Sequence, residues 1–235
     1  MREYIQRRID EAVFRIYSSF SRIKFPTNLS DVIALFPNCR RMTYDELGMA
    51  SGKSHEEIVN ACGSYDGTTR LDVGSGRFLI LVNDSKRNGL IEERIRWTGA
   101  HELGHIICGH FDELSVSGKA EVQSSELSGN EMEEEADCFA ASLLAPIPAM
   151  SRIGVRDVRD IRKGFGLSQR AAEYRWVEFN RFLETADTSV FAQEPSLWRL
   201  FREREILSPI PYHFFRKAKM PTLKSIDVTP PDTEI

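Results

Sequence analysis

No run of about 18 apolar residues occurs in the 235-residue chain, so no membrane span is expected. Cysteine is scarce: Cys39, Cys62, Cys108 and Cys138 are scattered, and no two form a C-x-x-C pair. That spacing argues against a finger-type structural zinc site and requires no disulfide framework. The start, Met1-Arg2-Glu3-Tyr4, opens a charged amphipathic stretch and lacks an apolar signal region, which fits a cytoplasmic protein. Internal repeats are absent. Nor does one charge dominate: the net charge of −4 is too mild to predict a nucleic-acid or anionic-membrane surface for the whole chain. What is present is ordinary for a soluble globular protein, with 41% hydrophobic and 28% charged residues. The length allows one good core, or one catalytic domain with a small appendage.

Tyr4, Ile5, Ile9, Val13, Ile16, Tyr17 and Phe20 recur at helical spacing and predict a helix over 2–24. A short helix over 29–36, with Ser30 as cap, follows the break at Pro26 and Asn28. Thr43-Tyr44 fits a strand, Ser54-His55-Glu56-Glu57 a capped helix start, and residues 63–67 a turn. The apolar run Phe78–Asn83 reads as a strand, and a helix should run from near Ile91 through His110. Residues 118–130 are polar and small, as in a surface loop. Strong helix returns over 131–145 and stops at Pro146. Two further helical segments fit 155–185, and the Pro-rich tail from about Ser208 is expected to be partly disordered.

The chemistry concentrates in Ala100-His101-Glu102-Leu103-Gly104-His105, an H-E-x-x-H motif. Four residues apart on a helix, His101 and His105 share a face and can reach one zinc ion. Glu102 is displaced round the helix from that pair and sits where a zinc peptidase places its general base. Ala100, Leu103 and Ile107 form an apolar stripe on the other side, so the helix belongs to the core, where unpaired polar groups are costly. Gly104 leaves room beside the metal.

A third ligand is needed. His110 fails the H-E-x-x-H-x-x-G-x-x-H pattern, since Cys108 and Phe111 stand where Gly and His are required. On a continuous helix it would also point about 140° from His105, so it reads as a helix-end or structural residue. The helix of Glu131 through Ala145 offers a better choice. Stepping back from its stripe of Ala136, Phe139, Ala140, Leu143 and Leu144 puts Glu133 about 50° from the stripe centre. Glu135 falls about 110° and Glu134 about 150° away. Glu133 therefore faces inward, while Glu134 and Glu135 read as a solvated acidic helix start. Asp137, one turn on, is placed to hydrogen-bond a ligand histidine.

These residues together resemble the ImmA/IrrE family of zinc metallopeptidases. The resemblance rests on Arg96–His105 with Ile106, Ile107 and His110, on Glu133 through Pro146, and on the strand ending at Asn83. The segment Phe165-Gly166-Leu167-Ser168 with Ala171, Ala172 and Arg175 adds to it, giving a span of about residues 3–185. Ala145 stands where the family often has Met, and Gly99 where Leu is common. The resemblance implies an α+β, mainly helical, zincin-like peptidase domain over 1–150 with an active-site helix. The residues themselves suggest a helical extension over 151–207, helix-turn-helix-like, and then the Pro-rich tail, 208–235; the last 50 residues lie outside the resemblance. The resemblance implies a zinc metalloendopeptidase of the gluzincin type, with one zinc held by His101, His105 and Glu133 and with Glu102 catalytic. A helix-turn-helix transcriptional repressor would be its protein substrate. Asn83 is the candidate substrate-binding residue on the strand.

Several readings stay open. The strand at 78–83 could pair with substrate as a sheet edge or be an ordinary core strand. Tyr65, Tyr174, Tyr212 and His213 are candidate oxyanion donors, and spacing selects none. Residues 155–182 look like a helix-turn-helix, with Gly166 in the turn and Ser168 capping. Arg152–Arg181 is locally basic and would show Gln169, Arg170 and Glu173 to DNA. Packing on the peptidase domain, which Val177, Phe179 and Phe182 suit, is the favoured alternative. A zinc-bound regulator that sequesters a repressor without cutting it is the remaining possibility.

Overall fold

The computed structural model describes residues 3–84, 92–111, 129–185 and 195–210. The first helix, α1 (Glu3–Ser18), buries Ile5, Ile9, Val13, Ile16 and Tyr17, the apolar face seen in the sequence. It stops short of residue 24, because Ile23–Lys24 forms a short strand, β1, parallel to β5 (Ile206–Leu207). Helix α2 (Leu29–Ile33) is capped by Asn28, whose side chain accepts from the Ser30 amide, and not by Ser30 itself. Strand β2 (Cys39–Thr43) ends at Thr43, which caps α3 (Tyr44–Ser51) in a reciprocal box with Glu46. Tyr44 is therefore helical. Ser54 and Glu57 make the same box for α4 (His55–Cys62), as its sequence predicts.

After the turn come β3 (Gly67–Asp72) and β4 (Arg77–Val82). The order is β2-β4-β3, with β4 parallel to β2 and antiparallel to β3. The strand containing Phe78 is thus the centre of the sheet, paired on both sides. That overturns its reading as an edge for substrate, and the edge on the cleft side is β3.

The helices that follow are α5 (Glu92–Cys108), α6 (Gly129–Leu144), α7 (Ile147–Ile153), α8 (Val158–Phe165), α9 (Gln169–Thr185) and α10 (Pro195–Glu203). The described residues are mostly helical with small sheets, an α+β architecture. Gly129 and Asn130, expected in a loop, open α6 instead, and the rest of that polar stretch lies outside the described residues. So does the tail beyond residue 210. Among the described residues no single helix is long and apolar enough to cross a membrane. All four cysteines are free thiols.

One apolar core joins α1, α5 and α6 to the later helices through Phe25, Leu103, Phe139, Leu143, Ile161, Phe165 and Phe201. A smaller cluster of Tyr44, Ile58, Cys62 and Leu81 packs α3 and α4 against the sheet. The pair α8–α9 has Gly166 in its turn at φ 65° and Ser168 accepting from the Ala171 amide. Phe179 packs inward, whereas Val177 is 57% exposed and does not serve the packing expected of it. Arg175, in the basic segment, is buried and donates to the Ala145 carbonyl at 2.8 Å.

Tyr17 ties α1 to α6. Its hydroxyl donates to the Leu143 carbonyl, so the Thr27 hydroxyl, 2.9 Å away, must donate to Tyr17. Both partners are buried and lose an interaction without the phenol oxygen. Tyr17→Phe should therefore cost about 1–3 kcal/mol. Urea unfolding should show a lower midpoint with an unchanged slope, and an unchanged midpoint would show that the tie is dispensable.

Candidate metal centre

Helix α5 carries both histidines. Gly104 lies against α6 so closely that a Cβ there would come within 2.8 Å of the Ala136 carbonyl oxygen and 2.9 Å of its Cα. The space at Gly104 is therefore taken by the neighbouring helix and not left open beside a metal. This approach sets one turn of α5 directly opposite one turn of α6. Gly99 is filled in a similar way: a Cβ there would meet Leu29 Cδ2.

Across that contact, His101 Nε2 lies 3.0 Å from His105 Nε2 and 3.1 Å from Glu133 Oε2, and His105 Nε2 is 3.6 Å from Glu133 Oε1. Tetrahedral coordination at about 2.0–2.1 Å separates ligand atoms by about 3.3 Å, and these three distances straddle that value. Two imidazole lone pairs facing each other at 3.0 Å repel unless a cation or proton sits between them. The donor set thus fits a divalent ion with N and O preference, and zinc suits two imidazoles and a carboxylate. With Nε2 turned to the shared point, Nδ1 of His101 carries the proton and donates to Asp137 at 2.8 Å.

Glu102 is buried, and its Oε2 accepts from the Thr69 hydroxyl of β3 at 2.8 Å. Gly67 makes this strand-to-helix contact possible, since a Cβ there would lie 2.6 Å from Thr98 Cγ2 and 2.8 Å from the Leu81 carbonyl oxygen. His101, Glu102, His105, Glu133 and Asp137 all line one cleft of about 580 Å³, whose other wall includes Gly67, Thr68 and Thr69.

Asn83 is not in that cleft. It is 1% exposed, and its side-chain amide donates to the Tyr65 carbonyl at 2.7 Å. It holds the turn before β3 and has no surface for a substrate, which corrects its assignment as substrate-binding. Among the oxyanion candidates, Tyr65 and Tyr174 are exposed but do not line the cleft. Tyr212 and His213 lie outside the described residues. Gln169, Arg170 and Glu173 are on the surface, with Gln169 bonded to Glu173.

Three contributors escape the sequence reading. Thr69 sits in a strand too polar to stand out. The spacing carries a continuous helix through His110, but α5 ends at Cys108 and Gly109 follows at φ 79°. The His110 amide donates to the His105 carbonyl at 3.0 Å and the Gly109 amide to Ile106 at 3.1 Å, a Schellman cap that folds His110 back. Glu135 is not a solvated acid: it is 3% exposed and lies 3.1 Å from His110 Nε2. Gly109 was the available signal for His110.

Burial works against a charged His101, but Asp137, Glu102 and Glu133 outweigh it and raise its pKa. His105 is pushed down to about 3 by burial and by His101 and His110. Burial raises Glu102 above the ordinary carboxylate value, against the Thr69 hydrogen bond. A proton on His101 Nε2 competes directly with a metal there, and its raised pKa keeps that proton bound to higher pH. Zinc affinity, titrated against a chelator, should therefore weaken as pH falls, starting above the ordinary histidine value of 6.5. Constant affinity from about pH 8 down to about pH 5.5 would contradict this ligand set.

No curated protein and no solved structure matches the chain. A family model does match, over the segment that runs from the turn before β3 into α9 and contains the whole cleft. Residues 64–177 match the model of the IrrE N-terminal-like domain, Peptidase_M78, a family of metallopeptidases.

Proposed function

We propose that the protein is a zinc-dependent endopeptidase, with one zinc held by His101, His105 and Glu133 and with Glu102 as general base. The observation that carries this reading is the convergence of those three donors beside a buried carboxylate in one cleft. Zinc, when bound, supplies a Lewis acid that polarises the scissile carbonyl and makes water a nucleophile near neutral pH. The chain does the rest. Asp137 fixes the tautomer of His101. Thr69 aims Glu102 Oε2, so that the carboxylate takes the proton from water and passes it to the leaving amine. Substrate enters as an extended strand along β3, the sheet edge that borders the cleft.

The substrate class is a regulatory protein, a helix-turn-helix transcriptional repressor, by analogy with the family the sequence resembles. The basic stretch 155–182 supports packing and not DNA contact: Ile161, Phe165 and Phe179 face the core, and Arg175 is turned inward. Non-proteolytic capture of a repressor is the competing reading, and Glu102 separates the two. Glu102→Gln should retain zinc while cleavage falls by about 10²–10⁴-fold. Full relief of repression by this variant, with the repressor intact, would establish capture in place of cleavage.

A further inference from the structure

The two ligand histidines are supported differently. His101 leans on Asp137, a single exposed carboxylate on α6. Among the described residues no carboxylate meets His105 Nδ1. Its Nδ1 lies 2.8 Å from His110 Nδ1, and His110 Nε2 lies 3.1 Å from Glu135 Oε2. The side chains of His110 and Glu135 are only 4% and 3% exposed. One proton assignment satisfies every contact when His105 presents Nε2 to a metal. His105 Nδ1–H donates to His110 Nδ1, and His110 Nε2–H donates to the Glu135 carboxylate. Both imidazoles are then neutral, and each uses one nitrogen as donor and the other as acceptor.

We propose that His110 and Glu135 are positioning residues for the metal centre: a buried relay that fixes the tautomer and ring orientation of His105. It rests on the proposed His101–His105–Glu133 zinc site. Backbone geometry delivers the relay. The Schellman cap at Gly109 places His110 within reach of the His105 ring one turn back, and Glu135 stands two residues after the ligand Glu133 on α6. Because α6 packs against α5 through Gly104, the acidic run presents Glu133 to the cleft and Glu135 to the buried side of the same contact. Cys108 joins His110 and Glu135 in a second convergent group. There, however, both His110 nitrogens are already engaged, one with His105 and one with Glu135, which favours a relay over a second metal site.

The test measures zinc affinity by chelator competition, and the absorption spectrum of cobalt(II) bound in place of zinc. It compares wild type with His110→Ala, His110→Asn and Glu135→Gln. Urea unfolding of each metal-free protein shows which variants fold. Loss of outer partners of a metal-ligating histidine costs about 10–100-fold in metal affinity, so His110→Ala should bind zinc that much more weakly and alter the cobalt spectrum. His110→Asn keeps an acceptor near the His105 Nδ1–H and should recover part of the affinity. The near-isosteric Glu135→Gln should weaken binding less than His110→Ala, and it serves as the readout if His110→Ala does not fold. Wild-type affinity and an unchanged cobalt spectrum in folded His110→Ala or Glu135→Gln would overturn the relay and leave the zinc site standing. Failure of wild type itself to bind zinc would overturn the zinc site and the relay together.

Discussion

Everything at the cleft depends on how closely α5 and α6 approach. Gly104 has no side chain, and Ala136 has almost none, so the helix backbones meet at a separation that a single Cβ would violate. At that separation a histidine on one helix and a carboxylate on the other reach a common point. A larger residue at position 104 would drive the helices apart and lengthen all the cross-helix distances at once. The geometry is rigid because interiors are close-packed and cannot absorb an added methyl without a shift elsewhere. The core on the far side, from Leu103, Phe139 and Leu143 to α1, holds the pair in that register.

A second strand-to-helix contact places the base. Gly67 lets β3 lie on α5, and the Thr69 hydroxyl then donates to Glu102 Oε2. The same small-residue device thus appears twice, once for the ligands and once for the carboxylate that works on water. Asn83 anchors the turn that leads into β3 through its bond to the Tyr65 carbonyl. In this way residues buried far from any substrate still determine where the reacting groups stand.

The pairing of His101 with His105 was legible from helical spacing, whereas Glu133, expected to face inward, meets them with its side chain 62% exposed, as Asp137 does at 56%. Glu135 was misjudged by the same arithmetic. An angle from the stripe centre describes burial against one neighbour, and His110, just after α5, meets Glu135 on a second side. His110 is the helix-end residue that its spacing suggests, but its fold-back onto His105 was not legible, because the positive φ of Gly109 ends the helix before it. The strand β3 was invisible because Thr68, Thr69, Arg70 and Asp72 make a polar, half-exposed edge without apolar alternation. The run Phe78–Val82 was plain as a strand, but a run apolar on both faces does not say which strands will flank it, and only pairing reveals that it is central.

The central claim is that two helices build one metal centre from His101, His105 and Glu133. Its most direct test is elemental analysis of purified wild type beside His101→Ala and Glu133→Ala. The account predicts about one zinc per chain in wild type and loss of that zinc in both variants. Wild type without metal after zinc is supplied, or full zinc retained when either ligand is removed, would contradict it.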